Sequence, residues 1–128
     1  VIEDQQFPKR CGHMAGKRLV AGEAFEQKFK AAVDARRDGD FVIIARTDAI
    51  AVEGFEAAIE RGNRYAEAGA DVVFVEAPEN EEQAAQVPGA VARSMSAQGD
   101  LEDVRRPFRG RQAPLIRVGR AGDDWTSS

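Results

Sequence analysis

Apolar positions along the chain follow two alternating periods. From Glu23 to about Arg37, Phe25, Phe29 and Val33 recur at helical spacing, and the turn-forming Asp38-Gly39-Asp40 predicts where that helix stops. Phe41-Val-Ile-Ile-Ala45 is a short unbroken apolar run, which predicts a strand buried on both faces. A second helical stripe, from about Val52 to Ala68, carries Phe55, Ala58, Ile59, Gly62, Tyr65 and Ala66, and Gly69 is placed to close it in the left-handed conformation. Val72-Val-Phe-Val75 predicts another doubly buried strand, and Glu79 to Val87 a short third helix. Val1-Ile2 reads as the tail of a further strand, leading into a polar loop with Pro8 and Gly12. Strands alternating with helices in this way predict an α/β fold of βα units around a parallel sheet.

Composition narrows the picture. With 128 residues, 43% hydrophobic and 31% charged, the chain has room for one modest core. No apolar run approaches the roughly 20 residues of a membrane span, and nothing at the start resembles a signal peptide. The chain opens at Val1 without a Met, so it is expected to be a piece of something longer. A single cysteine, Cys11, excludes an intramolecular disulfide and favours a reducing, cytoplasmic setting. The net charge of −4 argues against a nucleic-acid partner. That charge is unevenly spread, with 11 basic and 17 acidic residues in 1–88 but 7 and 5 in 89–128. Every basic residue after Lys30 is an arginine, and the segment 105–114 has neither apolar period. A boundary is therefore expected near residue 89, between an ordered unit (1–89) and an irregular tail (90–128).

Candidate chemistry gathers where strands end. Val1-Ile2 is followed by Glu3-Asp4, Phe41–Ala45 by Arg46-Thr47-Asp48, and Val72–Val75 by Glu76. In parallel α/β sheets and barrels, ligands bind at the carboxyl ends of the strands, so charges arriving there from successive strands converge. A single such charge needs no explanation beyond a strand meeting water, whereas three in succession point to a site. Asp4 and Asp48 read as loop-capping residues rather than catalysts. Cys11 lies in a polar loop between Lys9-Arg10 and Gly12-His13, where neighbouring cations favour thiolate and suit it to proton transfer. A zinc site from Cys11, His13 and Glu3 is discounted, because one Cys-x-His without a second pair is a weak signal.

These residues also carry a resemblance. Ile2-Glu-Asp-Gln5, Phe7-Pro-Lys-Arg-Cys-Gly-His13, Phe41-Val-Ile-Ile-Ala-Arg-Thr-Asp-Ala49, Glu67-Ala-Gly-Ala-Asp71 and Phe74-Val-Glu-Ala-Pro78 together resemble the isocitrate lyase/phosphoenolpyruvate mutase superfamily. Within it the likeness is to the methylisocitrate lyase, dimethylmalate lyase and carboxyphosphonoenolpyruvate phosphonomutase group. The resemblance implies a (β/α)₈ barrel, Mg²⁺-dependent chemistry at an enolate, a small carboxylate substrate and a homotetrameric parent. A complete barrel takes about 250 residues, so this chain would hold about half of one, around the fourth, fifth and sixth strands. The family's Ser-Gly-Gly segment, base tyrosine and metal-binding aspartates would all lie upstream of Val1.

By the same resemblance, Cys11 is the general acid of a lyase, and Cys11 and Gly12 contact substrate on a loop supported by Lys9, Arg10 and His13. Arg46 would take a substrate carboxylate, Glu76 a substrate hydroxyl, and Glu3 a metal-bound water. The implied activity is cleavage of a 2-hydroxy di- or tricarboxylate to a 2-oxo acid such as pyruvate plus a carboxylate, the fragment alone being inactive. The alternatives are phosphonomutase-type P–C chemistry and a non-catalytic remnant. After Gly89 the pattern is lost: Ser94 stands where the family has a substrate-binding asparagine, and Ala97 where it has an acid. A shifted reading frame accounts for the Arg-rich tail better than a nucleic-acid-binding segment does, and residues from about 100 onward are expected to be poorly ordered.

Overall fold

The computed structural model of the chain describes residues 1–11, 14–92, 94 and 95. In order these form β1 (Ile2–Glu3), α1 (Gly22–Asp34), β2 (Ile44–Thr47), α2 (Ile50–Glu53), α3 (Phe55–Glu67), β3 (Val72–Val75), α4 (Glu81–Ala90) and β4 (Ser94–Met95). The four strands are all parallel and stand side by side in chain order. Ile2 pairs with Ala45, Glu3 with Arg46, Arg46 with Phe74, and Phe74 with Met95.

The expected strand at 41–45 is displaced to Ile44–Thr47. The approach to the sheet uses up the first apolar residues: Phe41 N donates to Asp38 O, and Ile43 N to the Asp71 carboxylate at 2.9 Å. Phe41, expected to be buried, is 65% exposed. Arg46 consequently lies inside β2 rather than beyond it. The strand expected at Val1–Ile2 is likewise shifted by one residue, to Ile2–Glu3.

Alternation then sorts the side chains. Ala45, Val73 and Val75 are wholly buried in the core with Phe25 and Phe29 of α1 and Ala58, Tyr65 and Ala66 of α3. Phe25 stacks obliquely on Tyr65, with ring centroids 4.4 Å apart, so the stripes read from the sequence are the faces that meet. Residues of the opposite parity, Ile44, Arg46 and Phe74, remain partly accessible.

The helix expected over 52–68 is two helices. Gly54 has φ of 96°, a conformation an L side chain resists, and it separates α2 from α3. Gly69, with φ of 105°, closes α3 as expected, with Ala70 N bonded to Tyr65 O. The third helix begins at Glu81 because the Asn80 side chain accepts from Gln83 N at 2.8 Å. It carries Pro88 in its last turn and runs on to Ala90, where a stop at Val87 was expected. The βα order therefore continues across residue 89, since β4 follows and pairs with β3. Residues from 96 onward, including Ala97, for which an irregular tail was expected, lie outside the described residues.

Candidate active site

Glu3, Arg46 and Glu76 come together at the carboxyl end of the sheet. Arg46 Nε lies 3.5 Å from Glu3 Oε2, and its Nη2 lies 3.6 Å from Glu76 Oε2. The register explains the meeting, because Glu3 and Arg46 are paired residues, and Glu76 sits two positions beyond Phe74, the partner of Arg46 on β3. The Arg46 side chain is 22% exposed and those of Glu3 and Glu76 slightly less, so a ligand from solvent can reach all three. Immediately after Glu76 the chain turns through Ala77, whose φ of 53° is uncommon for a residue with a Cβ.

Asp4 and Asp48 are interior residues, not the loop caps expected of them. Asp48 grips Arg46 with both oxygens, at 3.0 Å to Nε and 2.9 Å to Nη2, and Lys17 Nζ meets the same carboxylate at 3.1 Å. Burial pushes the Asp48 carboxyl up, but hydrogen bonds from Arg46 and Lys17, and their charges, outweigh it and hold the group below the ordinary range. Burial likewise opposes the charge on Arg46, and the bond to Asp48 with the charges of Asp48, Glu76 and Glu3 reverses that effect.

Beneath this lies Asp4, fully buried. It accepts from Thr47 Oγ1 at 2.8 Å, from Asp48 N at 3.0 Å and from Tyr65 Oη at 2.9 Å, with Arg61 Nη1 at 3.5 Å. Arg61 also reaches Val20 O and makes two 2.8 Å bonds to Glu53. Each group of this network has a partner, as a buried charge requires. Lys17, Thr47, Arg61 and Tyr65 were not singled out as site residues from the sequence. Tyr65 passed for ordinary core on its helical stripe.

Tyr65 is held in its neutral form. Burial raises its phenol first, the Asp4 charge adds to that, and the combined effect exceeds the opposing pull of Arg61. An unfolded chain ionises its tyrosine near pH 10, and there it binds fewer protons than the native state. Stability is thus fully present below about pH 10 and falls as pH rises beyond it. Tyr65 is the sole tyrosine, so the ultraviolet phenolate band reports on it alone. The expected titration shows no phenolate until unfolding begins, and a smooth ionisation near pH 10 in the folded protein would contradict this environment.

The segment from Gln5 to Leu19 is a loop closed at its base. Gln5 bridges to Leu19, Gln6 N bonds Arg18 O at 2.8 Å, and Val20 N bonds Asp4 O at 2.9 Å. The Gln5 side chain brackets the Arg10 backbone with two 2.8 Å bonds. Cys11 is exposed on this loop and is not among the residues that the ion pairs draw together. Of the cations beside it, Lys9 pairs with Glu3 at 3.2 Å and Arg10 bonds Ala15 O, so both are engaged elsewhere. Gly12 and His13 lie outside the described residues.

The carboxylates present do not form a metal centre. Among the described residues no three His, Cys, Asp or Glu side chains are grouped to hold an ion. Asp4 and Asp48 already accept from buried donors, and Glu3 and Glu76 share Arg46. Hard Mg²⁺ wants several oxygen ligands in octahedral array, and these residues do not fit that demand as direct ligands. Among the described residues no helix is long and apolar enough to cross a membrane.

Residues 1–103 match the family model described as phosphoenolpyruvate phosphomutase. The chain is 54% identical over 82 residues to 2,3-dimethylmalate lyase of Eubacterium barkeri, covering 64% of this chain and 28% of that protein. It is 58% identical over 76 residues to 2-methylisocitrate lyase of Escherichia coli (strain K12), covering 59% and 26%. It thus spans about a quarter of the length of these curated relatives. Among solved structures it resembles oxaloacetate acetylhydrolase in complex with 3,3-difluorooxalacetate, with a TM-score of 0.70 and 36% identity over 91% of this chain and 38% of that one. A phosphonopyruvate hydrolase complexed with oxalate and Mg²⁺ gives a TM-score of 0.58 and 33% identity over 83% and 39%. The parallel sheet with its helices is part of the (β/α)₈ barrel of these neighbours.

Proposed function

Since the chain belongs to the phosphoenolpyruvate phosphomutase family, we propose that it supplies one side of a carbon–carbon lyase site that cleaves a small 2-hydroxy di- or tricarboxylate. The observation that carries this reading is Arg46, gripped edge-on by Asp48 and flanked by Glu3 and Glu76 at an accessible strand end. A planar, permanently charged fork there suits a substrate carboxylate. Glu76 accepts a hydrogen bond from the substrate hydroxyl. As that hydroxyl gives its proton to the base tyrosine that the resemblance sets upstream of Val1, its carbon becomes the carbonyl of a 2-oxo acid and the neighbouring carbon–carbon bond breaks. The bond's electron pair stays on the departing carboxylate fragment, whose carbanion takes the Cys11 proton and leaves a thiolate. Lys9, Arg10, Gly12 and His13 form the loop that carries Cys11 to the substrate.

When bound, Mg²⁺ would stabilise the enolate charge. The carboxylates among the described residues do not fit it as direct ligands, and Glu3 would accept hydrogen bonds from water around such an ion. The free Cys11 agrees with a reducing, cytoplasmic setting. A homotetrameric parent belongs to the same reading. Lyase chemistry is preferred to P–C chemistry because the two relatives described above, at 54% and 58% identity, are named as lyases.

The test is a chimera in which this chain's matching segment replaces that of the Escherichia coli lyase. It is expected to release 2-oxo acid from methylisocitrate, dimethylmalate or isocitrate, while the 128-residue chain alone releases none. A well-folded chimera inert toward all three, or chelator-sensitive cleavage by the chain alone, contradicts the reading.

A further inference from the structure

We propose that Asp48 is the positioning residue for Arg46 and that Lys17 is the anchor that enables it to be one. The inference rests on the reading of Arg46 as the carboxylate-binding residue. Asp48 occupies the Nε and Nη2 edge of the guanidinium, at 3.0 and 2.9 Å, so the end of the fork carrying Nη1 is the part left to a ligand. Glu3 and Glu76, at 3.5 and 3.6 Å, are too far to hydrogen-bond well and do not by themselves set the plane of the fork. Asp48 is held in turn from below, where its own N–H donates to Asp4 Oδ1 at 3.0 Å, and from the side by Lys17.

The Lys17 and Asp48 side chains are 1% and 0% exposed, so their 3.1 Å ion pair is shielded from water. Lys17 enters from the closing arm of the Cys11 loop, next to Arg18, whose carbonyl bonds Gln6 N. One buried contact therefore sets the orientation of Arg46 and ties the Cys11 loop to β2. Apolar residues of similar volume commonly match or exceed a buried ion pair in stability, so two buried charges beside a ligand site are better explained by geometry. Displacing a binding group by about 1 Å can cost on the order of 100-fold in rate.

The test uses the double variant Lys17→Met/Asp48→Asn, which removes both charges and leaves neither of that pair buried alone, together with the single variant Lys17→Met. In the ¹⁵N-arginine-labelled 128-residue chain, the Arg46 Nε–H signal is assigned by its disappearance in Arg46→Lys. It is expected to exchange slowly with water in the wild type. In the double variant it should exchange as fast as a free arginine side chain, with melting changed by no more than about 5 °C. The single variant should exchange at an intermediate rate, which decides the matter if the double variant does not fold. In the chimera the double variant should lose about 100-fold in kcat/KM. Slow Arg46 exchange retained in both variants would overturn the proposal. Exchange as expected in a chimera that binds no oxalate would uphold the clamp while contradicting the carboxylate reading of Arg46.

Discussion

Changing Cys11 to serine in the chimera is expected to lower turnover by about 10²–10⁴-fold, the range typical of a lost general acid, while oxalate binding stays close to wild type. A serine hydroxyl has the same connectivity as the thiol and fits its place but is a far poorer acid, so the substitution separates proton delivery from binding. Exposure of Cys11 on a loop anchored at Gln5–Leu19 allows the residue to approach substrate without disturbing the core. Single-turnover kinetics with methylisocitrate check the result. Wild-type turnover in C11S would mean that Cys11 is only a loop residue and that the proton comes from another group.

Replacing Asp4 with alanine is expected to cost about 3–5 kcal/mol, the usual penalty for removing one partner of a buried charge network. Thr47 Oγ1, Tyr65 Oη and the Asp48 amide would each lose an acceptor, and the Arg61 guanidinium would lose its anionic neighbour. Such a loss is a large share of the total stability of an ordinary domain, about 5–15 kcal/mol, so the variant should unfold at a markedly lower urea concentration. Urea unfolding followed by circular dichroism measures the difference. A change below about 1 kcal/mol would show that the Asp4 network is not what holds β1 against β2.

Much of this arrangement was legible in the sequence. Helical stripes at Phe25–Phe29 and Ala58–Tyr65, together with the unbroken run at Val72–Val75, gave the order of elements, because each is a pattern of burial that periodicity records directly. Convergence of Glu3, Arg46 and Glu76 followed from parallel strands ending at one edge. The exact span of β2 did not, since Phe41 and Ile43 are as apolar as strand residues. Only the hydrogen bonds to Asp38 and Asp71 commit them to the approach. The interior role of Asp4, Asp48 and Lys17 was also hidden. A charged residue read locally looks solvated, and what buries these three is pairing between positions as much as 61 residues apart, as between Asp4 and Tyr65.

The central claim is that Arg46, clamped among Asp48, Glu3 and Glu76, is a carboxylate-binding group, and oxalate binding tests it most directly. Calorimetric titration of the chimera and its Arg46→Met variant, each at a temperature where it is folded, should show dissociation constants differing by about 100-fold, as loss of a charge-assisted contact implies. Equal affinity for oxalate in the two folded proteins would contradict the account.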